Sequence, residues 1–156
     1  MLLVMLPILI PAVKRQLKKP EFDDEYMFDD FVCNDLFPED KFEIVDPVKT
    51  VPEFGNDKFQ GFIIRRISDN LEFYIITKYA DNSKVNEIRW CDNDQLSHYK
   101  FLSDVPAYIV IGIGGSSHFP DKLYLMPFKQ FSSNKIRLTE ILPFEIKYGQ
   151  EINFTF

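Results

Sequence analysis

The chain has 156 residues, of which 46% are hydrophobic and 15% aromatic, so it holds enough apolar material for one folded domain and is not disordered throughout. Residues 21–156 contain 24 acidic against 14 basic residues, a formal charge of −10, and a surface of this sign disfavours tight non-specific binding of nucleic acid. Many of the acids cluster between Glu21 and Asp46, which leaves a local basic groove elsewhere as an alternative. The basic side chains that could line such a groove are Arg65, Arg66, Lys78, Lys84, Arg89 and Lys100.

The two cysteines, Cys33 and Cys91, lie far apart in the sequence. They form no CxxC motif and no cluster with histidine, which argues against a zinc site and against a disulfide framework. We therefore predict two reduced thiols in a cytosolic domain.

Residues 1–20 form an apolar segment with a basic flank. The run MLLVMLPILIPAV carries no charge, and KRQLKK follows at once. A spanning helix needs about 20 apolar residues, so we interpret the segment as a truncated transmembrane helix or as a segment lying in the membrane interface. A signal peptide fits poorly, because no basic group precedes the run and no small-x-small site follows it; a helix packed on the protein is the other alternative. If residues 1–19 anchor the chain, the positive-inside rule places the domain 21–156 in the cytoplasm, at the inner face of the cell membrane.

An acidic amphipathic helix is predicted at the start of the domain. In EFDDEYMFDDFVCNDLFPED, four apolar residues recur at helical spacing, with acidic side chains assigned to the other face. Those apolar residues are Phe28, Phe31, Val32 and Leu36. Pro38 marks the end of the helix.

Three strands are predicted next. Residues 41–45 (KFEIV) are typical of a short strand, and the segment DPVKTVPEFGND is a loop rich in turn residues. The runs FQGFIIRRI and NLEFYIITKY form a hairpin joined by a turn at residues 68–70. Both arms are rich in β-branched and aromatic residues, as buried strands require.

The second half of the chain alternates again between helix and strand. VNEIRW has brief strand character, and a helix follows that begins at Asp92 or Asp94 as its cap. The run Ala107–Ile113 is continuously apolar, which predicts a central strand covered on both faces. The GIGG that ends it indicates a turn with positive φ, and KLYLMPF is a further strand. These elements predict one α/β domain, with a mixed β-sheet flanked by helices in the order α-β-β-β-α-β-β and an apolar N-terminal helix before it.

Several short motifs occur in this order along the chain. They are FDDFV, QGFIIRR, IITK, QLSHY at residues 95–99, and IVIGIGGSSHFPDKLYLMPF. Over roughly residues 28–131 the chain resembles the restriction endonuclease-like, or PD-(D/E)XK, superfamily. There an acid-bearing helix precedes a hairpin, one arm begins with a metal-binding Asp, the other ends in (D/E)xK, and a helix and a parallel core strand follow. QLSHY is similar to the QxxxY signature of the exonuclease branch, and the last motif resembles a bacterial and phage subgroup.

The resemblance implies a catalytic site in which two positions differ from the family motif. The motif lysine is Lys78, and Gln95 and Tyr99 fill the QxxxY positions, so these three are the implied remnant of a catalytic site. The two metal-binding acids fall on Gly61 and Ile76, which supply no side-chain oxygen. Mg²⁺ is a hard cation that requires oxygen ligands, so the site has lost two of its main ligands.

Two acids could replace the missing ligands only if the domain is active. Asp30 lies in the helix motif, where the family commonly has Glu, and Asp57 lies in the loop before the hairpin. Both are also ordinary candidates for solvated surface residues.

Two functions follow from this reading. We expect a degenerate restriction endonuclease-like domain that is catalytically inactive and needs no cofactor. Such a domain would act as a nucleic-acid-binding or structural module. Membrane tethering through residues 1–19 is an additional predicted feature. The alternative is an active Mg²⁺-dependent endo- or exodeoxyribonuclease with migrated metal ligands. The side chains expected to contact a nucleic-acid backbone are Arg65, Arg66, Lys84 and Arg89. The protein partner is not specified by the sequence.

Overall fold

The computed structural model describes residues 24–45, 61–82, 84, 86–101, 105–152 and 154. The apolar N-terminal segment, the loop before the hairpin and Asp57 lie outside these ranges, so the predictions made for them stay predictions. Within the described ranges, no helix has the length and apolar character needed to cross a membrane.

The order of helices and strands follows the predicted one with additions. The helices are α1 (Asp24–Phe31), α2 (Asn93–Phe101) and α3 (Leu138–Ile141). The strands are β1 (Phe42–Val45), β2 (Phe62–Arg66), β3 (Glu72–Ala80), β4 (Glu87–Arg89), β5 (Ala107–Ile113), β6 (Lys122–Pro127), β7 (Lys135–Arg137) and β8 (Glu145–Ile146). A π-helical turn at Val32–Leu36 continues α1, and 3-10 turns occupy Phe128–Gln130 and Leu142–Phe144.

A mixed six-stranded sheet in the order β1-β2-β3-β5-β6-β8 forms the centre of the domain. Strands β3 and β5 are parallel, with Ile76 opposite Ile109, and the other neighbours in the sheet are antiparallel. The parallel pair requires a crossover, and α2 lies within that connection. The predicted α/β class and mixed sheet are therefore confirmed.

The central position of β5 is also confirmed. It pairs with β3 on one side and with β6 on the other, and Tyr108 to Ile113 are buried. An all-apolar strand is stable only when both faces are covered, as they are here.

Each face of the sheet carries its own apolar cluster. On the α1 face, Phe28 and Val32 pack with Phe73 and Ile75 of β3. On the α2 face, Tyr99 and Trp90 pack with Tyr74 and Ile76, which alternate along β3 with the residues of the first cluster. Helix α1 therefore lies over one face of β3 and α2 over the other.

Three short strands add to the predicted order. The strand character predicted for VNEIRW is confirmed by β4, whereas β7 and β8 were not predicted. Strands β4 and β7 pair with each other in a separate two-stranded sheet, in which Ile88 lies opposite Ile136. Strand β8 pairs with β6 at the edge of the main sheet. The tail after residue 135, in which only weak alternation was visible, thus supplies β7, α3 and β8.

Candidate functional site

The C-terminal half of β3 has an open edge. Strand β2 pairs with β3 only as far as Ile75, which lies opposite Phe62. Beyond that point, Thr77 to Ala80 pair with β5 on one side, while the other side is left without β2. In the motif of the resembled family, this edge is where the two acids and the lysine would meet.

Glu25 of α1 occupies this edge. One of its carboxylate oxygens lies 2.5 Å from Nζ of Lys78, and the other accepts a hydrogen bond from the main-chain N–H of Tyr79 at 3.2 Å. The side chains of Lys78 and Glu25 are 28% and 17% exposed, so both are largely withdrawn from water. In the described part of the chain, Glu25 is the hydrogen-bond partner of the Lys78 ammonium. Its carboxylate thus neutralises the lysine and also satisfies the main-chain N–H of Tyr79 at the edge of β3.

Asp29 makes the second contact between α1 and the end of β3. Its carboxylate accepts a hydrogen bond from the hydroxyl of Thr77, a residue with no solvent exposure. Burial raises the pKa of Tyr74 to about 12, and the negative charge of Asp29 adds to the shift. Glu25 and Asp29 therefore bring two carboxylates beside Lys78 and Thr77.

The position of the first family acid has no room for a side chain. Gly61 has a φ of +148°, which L-residues rarely adopt. A Cβ atom there would lie 2.6 Å from the main-chain oxygen of Ile75 and 3.1 Å from the hydroxyl of Tyr74. An aspartate at this position would require the main chain to move.

The position of the second family acid belongs to the core. Ile76 is 1% exposed and packs in the cluster on the α2 face. A carboxylate at this position would be transferred from water into an apolar environment. The two positions to which the resemblance assigns metal ligands therefore do not fit Mg²⁺ in this chain.

The QxxxY residues have structural partners. The side-chain oxygen of Gln95 accepts a hydrogen bond from the N–H of Asp92 at 2.9 Å, while the Asp92 carboxylate accepts one from the N–H of Gln95 at 2.7 Å. This reciprocal pair is a capping box at the start of α2. The Tyr99 ring is 2% exposed and stacks on Trp90 with centroids 5.8 Å apart. Within the described residues, neither side chain hydrogen bonds to Lys78.

Of the two proposed replacement ligands, the structure describes only Asp30. Asp30 is exposed, and no contact places it beside Lys78 within the described residues. Asp57 lies outside the described residues. Among the residues that the structure describes, no three His, Cys, Asp or Glu side chains come together in a way that could hold a metal ion.

Two of the four basic residues expected to contact nucleic acid, Arg65 and Arg66, are paired with carboxylates. Arg65 forms ion pairs with Glu72 at 2.8 Å and Glu43 at 3.3 Å, and Arg66 forms one with Asp69 at 2.5 Å. These carboxylates hold the pKa of both arginines above the usual value. Arg65 lies opposite Glu72, and Glu72 precedes Lys78 by six residues on β3. At the rise of a β-strand, six residues separate the main chain of Arg65 from that of Lys78 by about 20 Å.

The other two basic residues are accessible to solvent. Lys84 is exposed in the loop after β3, and Arg89 is exposed in β4, opposite Lys135 of the small sheet. Contact of these residues with a nucleic-acid backbone stays a prediction.

Sequence reasoning missed Glu25 and Asp29, although a signal for them exists. Together with Phe28 and Val32 they occupy positions i, i+3, i+4 and i+7, which share one helix face. The assignment of the acids to the face opposite the apolar residues was therefore wrong for these two.

No protein-family model, no curated protein and no solved structure matches this chain. The resemblance to the PD-(D/E)XK superfamily thus depends on the motifs and the order of the elements alone.

Proposed function

We propose that this chain is a restriction endonuclease-like domain without a nuclease centre, and that it acts as a non-catalytic structural or binding module. The observation that carries the proposal is the ion pair at the edge of β3, where a carboxylate oxygen of Glu25 lies 2.5 Å from the Lys78 ammonium. The order of helix, hairpin, helix and parallel core strand is the order in the resembled family, and supports the assignment of the fold.

The loss of catalysis follows from the two acid positions. A hydrolytic site of this type needs carboxylates that hold Mg²⁺, so that the metal can lower the pKa of the attacking water and neutralise charge in the transition state. Gly61 leaves no space for a carboxylate, and Ile76 is buried in the core. Lys78 alone cannot hold a divalent cation, because its ammonium carries the same sign of charge.

The charges favour a structural role or a protein partner over a nucleic-acid partner. Lys78, Arg65 and Arg66 are each neutralised by a neighbouring carboxylate. The formal charge of −10 on residues 21–156 would repel a phosphate backbone. Nucleic-acid contact through Arg65, Arg66, Lys84 and Arg89 remains part of the proposal only as a weak, salt-sensitive interaction, and membrane tethering through residues 1–19 is proposed alongside it.

One observation favours the active alternative. Glu25 and Asp29 are two carboxylates that stand beside Lys78 and Thr77 at the edge where family members bind metal. They are one helical turn apart, so they could serve as migrated ligands if the ion pair with Lys78 opened. This alternative predicts that both carboxylates are essential for cleavage of DNA.

The deciding experiment is a cleavage assay with the purified full-length protein. Labelled single-stranded and double-stranded DNA are incubated with Mg²⁺ or Mn²⁺, and the products are resolved on denaturing gels. We expect no cleavage above the level of a buffer control, because the family's metal ligands are absent. The same assay is run with Lys78→Ala and with Lys122→Ala, a matched lysine that also pairs with a glutamate.

Cleavage that disappears in Lys78→Ala and persists in Lys122→Ala would overturn the proposal. Glu25→Gln and Asp29→Asn then identify the site, since loss of cleavage in both variants would assign the activity to the migrated carboxylates. Cleavage that is equal in all variants would come from a contaminating nuclease and would leave the expected result, no activity from this domain, in place.

A further inference from the structure

The loop after β5 is held in one conformation by several contacts. Gly114 and Gly115 have φ values of +69° and +65°, so the positive φ predicted for the GIGG turn is observed. A Cβ atom on Gly115 would lie 2.7 Å from the main-chain oxygen of Phe119, so the chain can turn back this tightly only with glycine. The hydroxyl of Tyr79 lies 3.3 Å from the carbonyl oxygens of both glycines, and the hydroxyl of Ser117 donates to Asp24 at 3.1 Å.

This fixed loop presents a large aromatic ring to solvent. Phe119 is 65% exposed, more than any other large hydrophobic residue described, and Tyr148 beside it is 45% exposed. Their rings are stacked, with centroids 4.5 Å apart and planes 4° from parallel. The hydroxyl of Tyr148 donates to the carbonyl of Pro120 at 2.5 Å, so the second ring is also held in place.

Aromatic side chains on rigid, exposed positions are typical of binding hot spots. A ring that is already fixed loses little conformational entropy on binding, and burying it gains the full hydrophobic contribution. We call the surface formed by Phe119 and Tyr148 the aromatic ledge.

Two carboxylates lie near the aromatic ledge. Asp35 lines the same cavity as Tyr148, and Oδ1 of Asp121 lies 3.0 Å from the position that a Cβ atom on Gly115 would take. Burial raises the pKa of Tyr148, and the charges of Asp121 and Asp35 raise it further. Asp24 and Asp121 act in the same way on Tyr79 under the loop, after the effect of burial. Neither Asp35 nor Asp121 forms an ion pair in the described part of the chain.

We propose that the aromatic ledge, with Asp35 and Asp121 beside it, binds an arginine-rich segment of another protein. A guanidinium group can stack on the exposed face of Phe119 while the neighbouring carboxylates neutralise its charge. The proposed contacts involve neither Lys78 nor Glu25, so the inference holds whether or not the domain cleaves DNA.

The other possible occupants fit less well. A nucleic acid could stack its bases on the ring, but its phosphates would approach the carboxylates of Asp35 and Asp121. A second copy of the chain would bring the same carboxylates together across a two-fold axis, and like charges facing each other are destabilising.

Fluorescence anisotropy with defined peptides tests the proposal. The full-length protein is titrated into a fluorescein-labelled peptide of six arginines spaced by glycine and serine, at low salt. Peptides with lysine or glutamate in place of arginine are the comparison probes. We expect binding in the order arginine, lysine, glutamate, because only the guanidinium both stacks and pairs with carboxylates, and we expect the affinity to fall as NaCl is added.

Variants of the aromatic ledge and of its carboxylates test whether these side chains bind the peptide. Phe119→Ala should weaken binding of the arginine peptide about 3- to 10-fold, and the double variant Asp35→Asn, Asp121→Asn should weaken it by a similar factor. Leu71→Ala is the matched control for lost apolar surface, because Leu71 is 42% exposed and lies before β3, at the end of that strand remote from Tyr79. Glu87→Gln with Asp94→Asn is the control for lost charge, and neither control should change the affinity. Thermal unfolding of each variant establishes that it is folded.

Three results would overturn the inference. Binding that is unchanged in both ledge variants would remove the aromatic ledge from the interaction. Binding of a twelve-nucleotide single-stranded DNA that depends on Phe119 would make the ledge a stacking platform for bases. A dimer seen by light scattering that Phe119→Ala dissociates would identify a second copy as the occupant.

Discussion

At the scale of single residues, the main chain around Gly61 prevents any side chain from being placed at this position of the candidate site. A Cβ atom at this position meets the carbonyl of Ile75 at 2.6 Å, and the φ of +148° is strained for any L-residue. We expect Gly61→Ala to lower the free energy of unfolding by about 3 kcal/mol or more, since a main-chain clash is added to the backbone strain. Urea unfolding followed by circular dichroism measures the change.

Gly149→Ala is the matched control for Gly61→Ala. Gly149 also has a positive φ, +77°, but apart from its chain neighbours no atom of the described residues lies within 4 Å of the position its Cβ would take. Only backbone strain of about 1 to 2 kcal/mol is expected there. Equal losses in the two variants would contradict the clash at Gly61. If the difference is observed, Gly61→Asp cannot rebuild a metal site by simple replacement.

The residues of the site differ in how far the sequence could predict them. Lys78 was placed at the end of a strand and Ile76 within that strand, because one local run of β-branched and aromatic residues predicts the strand. The ion pair of Lys78 with Glu25 joins residues 53 positions apart, and it depends on where β2 stops pairing with β3. No local pattern specifies that point, so the helix spacing that groups Glu25 and Asp29 with Phe28 could not by itself show which strand they contact.

At the scale of elements, the start of α2 shows how a family motif can have a structural cause. Asp92 and Gln95 exchange hydrogen bonds with each other's main-chain N–H groups, which satisfies donors that the first turn of a helix leaves unpaired. Tyr99, one turn later, belongs to the core. Capping and packing therefore give the QxxxY spacing a structural cause in this chain.

This explanation predicts a stability difference between two neighbouring aspartates. Asp92→Ala should lower the free energy of unfolding by about 1 kcal/mol, because the cap is lost. Asp94→Ala removes an exposed charge from the same turn and should cost about 0.3 to 0.5 kcal/mol through the helix dipole alone. The midpoints of urea unfolding report both values. An equal loss in the two variants would show that the capping box does not stabilise α2.

The elements themselves were predicted where their signal is local. Ala107–Ile113 was identified to the residue, because seven consecutive apolar or small residues have no stable position except a central strand. Strands β4, β7 and β8 have two or three residues each, and β4 pairs with β7 across more than 45 residues of sequence. The strand character of VNEIRW predicted β4, whereas β7 and β8 depend on tertiary pairing and lie in a tail whose weak alternation did not predict them.

At the scale of the whole molecule, the two apolar clusters depend on the same two strands. Successive residues of β3 and β5 point alternately into the α1 face and the α2 face of the sheet. Removing α1 would expose one set of side chains on these strands and weaken the pairing on which the other cluster is built. We therefore expect the described domain to unfold as a single cooperative unit.

The prediction of cooperative unfolding can be tested with one fluorophore on each face. Trp90, the only tryptophan, is 2% exposed and donates from its indole nitrogen to the carbonyl of Ser133 at 2.9 Å, so it reports on the α2 face. In a Trp90→Phe background, Phe42→Trp places the probe near the rim of the α1-face cluster, where Phe42 is 8% exposed and a larger ring is best tolerated. In each protein, the urea midpoint from fluorescence should coincide with the midpoint from far-UV circular dichroism, which reports the sheet as a whole. If either face loses its fluorescence signal before the sheet unfolds, the two clusters are separate cooperative units and the shared strands do not couple them.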